Sequence, residues 1–224
     1  MTTSVEDGEA LYYLGLAYQN PKTNPEVPYD LAEGERVLIQ AVKAGNMAAT
    51  MTLAQQYYHG INVKKNLQDA AQLYEVAAFR GNPDAQFELG NLYLRGFGVE
   101  KDHEGGISWW EKAALNGSVI AQKALLLYFM STADRDGLYR LGRLYSEKGN
   151  QGLAIEFWEA GAEMGDLLCQ YYLGFTLYYY KGLRRSEGMD WLEKAAAGGS
   201  EEAKTTINRI YETETVADSM DSVS

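Results

Sequence analysis

Cysteine is nearly absent from this chain of 224 residues, and Cys169 alone rules out an internal disulfide framework or a cluster of thiolate metal ligands. That leaves a reducing compartment or a fold independent of cysteine, and the cytoplasm is the simpler expectation. Basic charge is also short. There are 20 Lys and Arg against 31 Asp and Glu, a formal net charge of −11 that argues against nucleic acid as a partner. No run of about 18 apolar residues occurs, so no membrane span is predicted. Residues Met1 to Glu9 carry acids and no basic stretch before an apolar run, so no signal peptide is expected. What is present is apolar material: 46% of the residues, too much for a disordered chain and enough for one or two domains with a real core.

That material is periodic. Residues 46–81 and 82–117 align without a gap, and the small residues Ala49, Ala85 and Ala121 recur every 36 positions. Ala10 precedes Ala49 by 39, the surplus lying in the proline-bearing segment Asn20 to Tyr29, while Gly137, Cys169 and Ala203 continue the series. Three residues before each anchor stands a good helix N-cap: Asp7, Asn46, Asn82, Ser118, Asp134, Asp166 and Ser200. A second set of caps, Asp30, Asn66, Asp102 and Asn150, precedes a second helix in each unit. Those second helices end at Gly45, Gly81, Gly117, Gly165 and Gly199, each followed at once by the next cap, so neighbouring helices must run antiparallel. Between helices, Asn62 and Gly98 align, and both residue types tolerate positive φ.

The stretch Ala85-Gln86-Phe87-Glu88-Leu89-Gly90, then Leu92-Tyr93, Gly96-Phe97-Gly98-Val99, Asp102, Trp109-Trp110 and Lys112-Ala113-Ala114, resembles the SEL-one-like repeat, a relative of the tetratricopeptide repeat. The resemblance recurs from residue 7 to about 211. It implies a right-handed α-α superhelix, a solenoid of helical hairpins, acting as a scaffold for protein–protein contacts.

The residues themselves give an all-α chain of about five hairpins stacked nearest neighbour on nearest neighbour. The first helix presents the anchor and the residues four and eight beyond it, as in Ala85, Leu89 and Tyr93 or Ala10, Leu14 and Tyr18. Leu73-Tyr74, Trp109-Trp110, Phe157-Trp158 and Trp191-Leu192 face that stripe, and Gly34, Ala70, Gly106, Ala154 and Gly188 allow close helix approach. The units fall at 7–45, 46–81, 82–117, a degenerate 118–133, 134–165 and 166–199, with a capping helix over 200–211. Ala121 and Gly137 are only 16 apart, so the helix near 118–131 lacks a partner and a kink or change of curvature is predicted at 131–134. Residues 212–224 read as an acidic disordered tail.

Catalytic chemistry finds little support. His59 and His103 occupy different repeat positions, and surface roles explain them better than a metal pair. Cys169 sits where other units carry alanine and reads as core. Gly96-Phe97-Gly98 is an inter-helix turn following no strand, not a nucleotide loop. Lys181, Arg184 and Arg185 form the one local basic cluster, able to meet an acidic partner loop. The chain is therefore read as no enzyme, with no metal and no cofactor.

The feature most able to carry function is a stripe two, six and nine positions after each anchor: Tyr12, Met51, Tyr58, Phe87, Leu94, Tyr139, Tyr171, Phe175 and Tyr178, with Leu127 between them. In an unbroken solenoid it lines the concave surface, where aromatic rings give large contact area at small entropic cost. The competing reading packs the position two after the anchor against the next repeat. The expectation is an adaptor binding another protein or peptide there. An immunity or inhibitor protein neutralising a basic enzyme or toxin is the alternative that the acidity motivates. A β-lactam-handling hydrolase, as the resemblance to cysteine-rich relatives would imply, is disfavoured because the regular cysteine pairs of that subgroup are missing.

Overall fold

A computed structural model of the chain describes residues 5–20, 22, 24–180 and 184–221, with side-chain surroundings from 7 to 215. Twelve helices and no strand occur among the described residues: α1 Val5–Gln19, α2 Leu31–Lys43, α3 Met47–His59, α4 Leu67–Phe79, α5 Pro83–Arg95, α6 His103–Leu115, α7 Val119–Thr132, α8 Arg135–Glu147, α9 Gln151–Glu163, α10 Leu167–Tyr179, α11 Arg185–Ala197 and α12 Glu201–Asp221. They fall into two compact units, residues 1–125 and 126–224, with the division inside α7. In the first unit each helix from α1 to α6 packs on the next; in the second, α8 to α12 do the same and α8 also touches α10.

One device closes and opens successive helices. Gly45, Gly81, Gly117, Gly165 and Gly199 all have left-handed φ, between 81° and 106°, which costs glycine little. The residue after each glycine then works twice. The Asn46 amide donates to Ala41 O at 3.0 Å, closing α2, while its side-chain oxygen accepts from Ala49 N at 2.7 Å, opening α3. Asn82, Ser118, Asp166 and Ser200 repeat both bonds. Asp30, Asn66, Asp102 and Asn150 likewise cap α2, α4, α6 and α9.

The turn from α7 to α8 uses the same bonds with a different residue. Asp134 N donates to Phe129 O and Asp134 Oδ1 accepts from Gly137 N, both at 2.9 Å, yet the left-handed position is held by Ala133 at φ 54°. Steric crowding of its Cβ makes that conformation unfavourable for alanine.

Three expectations need correction. The first helix starts at Val5, so Asp7 lies inside its first turn and does not cap it. Ala10 and Leu14 are exposed, Leu14 at 38%, while Ala49, Ala85, Ala121, Cys169 and Ala203 are fully buried. The reason is positional: α3, α5 and α10 are packed on by α2, α4 and α9 respectively, and among the described residues α1 has no such predecessor. The third concerns the acidic segment after residue 211, which continues α12 to Asp221. Ile210 is buried, Glu214 accepts a 2.9 Å bond from the Tyr178 hydroxyl, and the Thr213 and Thr215 hydroxyls bond back to carbonyls within the helix. Residues 222–224 lie outside the described part.

Hairpins meet through missing side chains. A methyl group added to Gly174 would lie 2.8 Å from both Gly188 O and Leu192 N; one on Gly90 would lie 2.8 Å from Gly106 O, and one on Gly34 3.0 Å from Gly15 O. Stripe packing against these crossings supplies the core of each unit.

Candidate binding surfaces

Among the described residues no group of three or more His, Cys, Asp or Glu side chains is placed to hold a metal ion. Cys169 is buried at its anchor against Gly161, and burial, more than the nearby Asp166 carboxylate, raises its thiol well above the usual range. The thiol there stays protonated and packs against Gly161. His59 meets Tyr58 edge-on at 4.8 Å, and His103 begins α6. Lys181 lies outside the described residues. Arg184 is held by Glu187 at 2.6 Å and Glu159 at 2.9 Å, and Arg185 lies 4.6 Å over the Tyr178 ring. The two described cations of the basic cluster are thus engaged within the chain.

In the first unit the stripe residues are half-buried between helices. The Tyr12 hydroxyl is 3.4 Å from Thr52 Oγ1, and its ring packs beside Leu38, Ala41, Ala49 and Leu53. Met51 and Tyr58 pack on a cluster that includes Tyr74, Ala85 and Leu89. Phe87 stacks on Trp110 with centroids 5.5 Å apart, and Leu94 rests where a Gly106 side chain would collide with it. These five residues seal joints between helices and leave only part of each side chain toward solvent.

The second unit arranges its rings differently. Tyr139 and Trp158 both meet Tyr172, at 5.5 and 5.4 Å. From Tyr172 the chain of rings continues to Tyr171 at 5.1 Å, Phe175 at 6.1 Å and Tyr179 at 4.7 Å, and Tyr178 follows at 5.0 Å. Hydrogen bonding with Tyr139, then burial, raises the Tyr172 hydroxyl above the usual tyrosine range, so it stays neutral. Tyr178 is only 6% exposed and serves as an anchor to α12 through Glu214, whereas Tyr179 is 47% exposed.

Tyr171 and Phe175 form one wall of a hollow of about 370 Å³ whose other wall is α12, with Glu201, Glu202, Thr205, Thr206 and Arg209. Thr205 and Arg209 stand two and six residues after the anchor Ala203, so they are the polar version of the same stripe. The structure therefore brings Tyr139, Tyr171, Phe175 and Tyr178 into one aromatic chain. Sequence spacing placed Trp158 facing the stripe but missed Tyr172 and Tyr179, although the crowding of tyrosine within α10 was a usable signal. It also missed the amides one position after three of the anchors: Gln86, Gln122 and Gln170 donate to Ala78 O, Ala114 O and Ala162 O, fastening α5, α7 and α10 to the end of the helix before each.

The Sel1 repeat family matches residues 8–46, 49–82, 83–118, 135–166 and 167–200, five repeats spanning most of the sequence. This chain belongs to the Sel1 repeat family. The matched repeats skip α7, the helix without a partner of its own. Among solved structures the fold is similar to c5321, a protective antigen of uropathogenic Escherichia coli with an SLR fold, at 24% identity and a TM-score of 0.50. The match covers 92% of this chain and 49% of that protein, so the Sel1 chain spans about half the length of this neighbour. A Sel1 repeat protein from Oxalobacter formigenes is 24% identical with a TM-score of 0.45, covering 94% of this chain and 81% of the other. An immunity protein of Pseudomonas aeruginosa, Pa5087, is 19% identical with a TM-score of 0.39, covering 88% and 68%. No curated protein matches the sequence. No helix among the described residues is long and apolar enough to cross a membrane.

Proposed function

We propose that this Sel1 repeat protein is a non-catalytic scaffold of the cytoplasm, and that the first-helix face of its second unit holds a peptide or helix of a partner protein. The observation carrying this reading is the hollow between α10 and α12, walled by Tyr171 and Phe175 on one side and Thr205 and Arg209 on the other. An extended or helical segment seated there places apolar side chains on the rings and polar groups on α12. Such half-buried aromatic walls concentrate binding energy because ring contacts desolvate well and lose few rotamers. The stripe residues of the first unit, Tyr12, Met51, Tyr58, Phe87 and Leu94, form a separate candidate contact surface belonging to that unit alone.

Thr205→Trp fills the hollow from the polar wall without removing a ring. Affinity capture with the tagged protein should lose its partner for Thr205→Trp and for Phe175→Ala, by about tenfold or more, while circular dichroism keeps its helical signal. Undiminished capture by both variants overturns the site. A second reading, an inhibitor wrapping a basic enzyme or toxin, follows from the net charge of −11. Its mark is a complex that weakens steeply as salt rises, since screening acts on charge pairs and not on apolar contacts.

A further inference from the structure

The repeats allow one interval between second helices to be compared with the next. Between α4 and α6 the outer groove is filled: Trp109 packs edge-to-face on Phe79 with centroids 5.3 Å apart, and Lys112 lies 4.0 Å over the Trp109 ring. The same position carries Phe157 in α9 and Trp191 in α11, the latter again under a lysine, Lys194, at 3.9 Å. Between α2 and α4 the aligned residues are Leu73 in place of Trp109 and Lys43 in place of Phe79. Where the other interval holds two rings, this one holds a hollow of about 290 Å³, walled by Ile39, Val42, Leu53, Leu73 and Val76.

Tyr57 and Asp69 join that apolar chamber to a polar hollow of about 440 Å³ that also includes Glu35, Lys64 and Lys65. Glu35 accepts from the Tyr57 hydroxyl at 2.6 Å, and Asp69 from Asn66 Nδ2 at 2.6 Å, so both carboxylates are already hydrogen-bonded. Lys43, Lys64 and Lys65 make no ion pair among the described residues. Lys43 borders the apolar chamber, and Lys64 and Lys65 border the polar hollow beside it, in a chain of net charge −11.

We propose that this chamber is a second docking site, on the second-helix side of the first unit, and that its occupant is an aromatic side chain of an acidic partner segment. The ring takes the place that Trp109 fills in the next interval, and carboxylates flanking it meet Lys64 and Lys65. The chamber lies at the small end of ligand cavities, suited to a single side chain and not to a larger ligand. Buried ring area supplies affinity and the lysines supply orientation and salt dependence.

The probe is a fluorescein-labelled acidic pentapeptide with one central tryptophan, read by fluorescence anisotropy on the full chain. Saturable binding is expected, weaker by about tenfold when alanine replaces the tryptophan. Leu73→Trp fills the chamber from within, as α6 does; it should abolish binding and melt no lower than the parent. Lys64→Glu with Lys65→Glu should weaken binding by about tenfold at unchanged melting. Phe175→Ala should leave this peptide bound, which separates the site from the α10/α12 hollow. No saturable binding overturns the proposal, as does equal binding to Leu73→Trp. A Leu73→Trp chain that fails to fold also overturns it, because the chamber then has no room for an indole. Free indole-3-propionate binding as tightly as the peptide would assign the chamber to small aryl acids and overturn the partner segment.

Discussion

The hairpin α5–α6 of the first unit and the hairpin α8–α9 of the second follow one plan and dress it differently. Each brings a tryptophan of the second helix onto a glycine of the first: Trp110 onto Gly90 and Trp158 onto Gly142. Trp158 Nε1 donates to Tyr139 O at 3.3 Å, whereas buried Trp110 Nε1 has no partner. Trp110 rests on one ring, Phe87; Trp158 joins the chain of rings running through Tyr172 to Tyr179. The frame is thus set by small residues at crossings, and the character of each face by what stands two to ten positions after the anchor.

The largest effect that could break this comparison lies at the crossings. Gly174→Ala pushes a methyl group into backbone atoms of α11, and a loss of about 3 kcal/mol is expected in urea unfolding. At the same repeat positions α3 and α4 carry Ala54 and Ala70, both fully buried. Ala70→Gly should accordingly cost only about 1 kcal/mol, the ordinary helix penalty of glycine. Equal losses at the two sites would mean that glycine crossings do not set the spacing of α10 and α11.

A smaller effect tests the polar joint of the first unit. Gln19 and Gln56 exchange amide bonds between α1 and α3, at 3.2 and 2.6 Å, and both are 7% exposed. Gln19→Leu strands the Gln56 amide and should lower stability by about 1–3 kcal/mol. Adding Gln56→Leu should recover part of that loss in a double-mutant cycle, since an apolar pair leaves fewer orphaned groups.

The smallest expected change is a gain. Ala133 holds the left-handed place that Gly117 and Gly165 hold at equivalent turns. Ala133→Gly relieves its steric cost and should raise stability by about 0.5–1 kcal/mol, seen as a higher melting temperature. The opposite change, Gly165→Ala, should lower it by a similar amount.

Much of this frame was legible in advance. Ten of the eleven expected caps bond to backbone amides two or three residues further on, and such local bonds form from sequence neighbours whatever surrounds them, as at Asn46 and Asp102. The failures were contextual. Ala10 and Leu14 match Ala85 and Leu89 in type and spacing, yet they are exposed because burial requires a preceding helix. The segment 212–221 looked too polar to fold, and its order depends on Tyr178 and on α11, both far from it along the chain. Of the aromatic stripe, spacing identified the members but not their use: Phe87 lies against Trp110, while Phe175 borders a hollow.

The sequence by itself determined where helices begin, end and reverse, because caps and left-handed glycines act within a single turn of chain. Only the tertiary structure decided which side chains are spent on joints and which stay available. Exposure is a property of the neighbour that packs on a residue, and repeats cut to one pattern can leave a hollow in one interval and a tryptophan in the next.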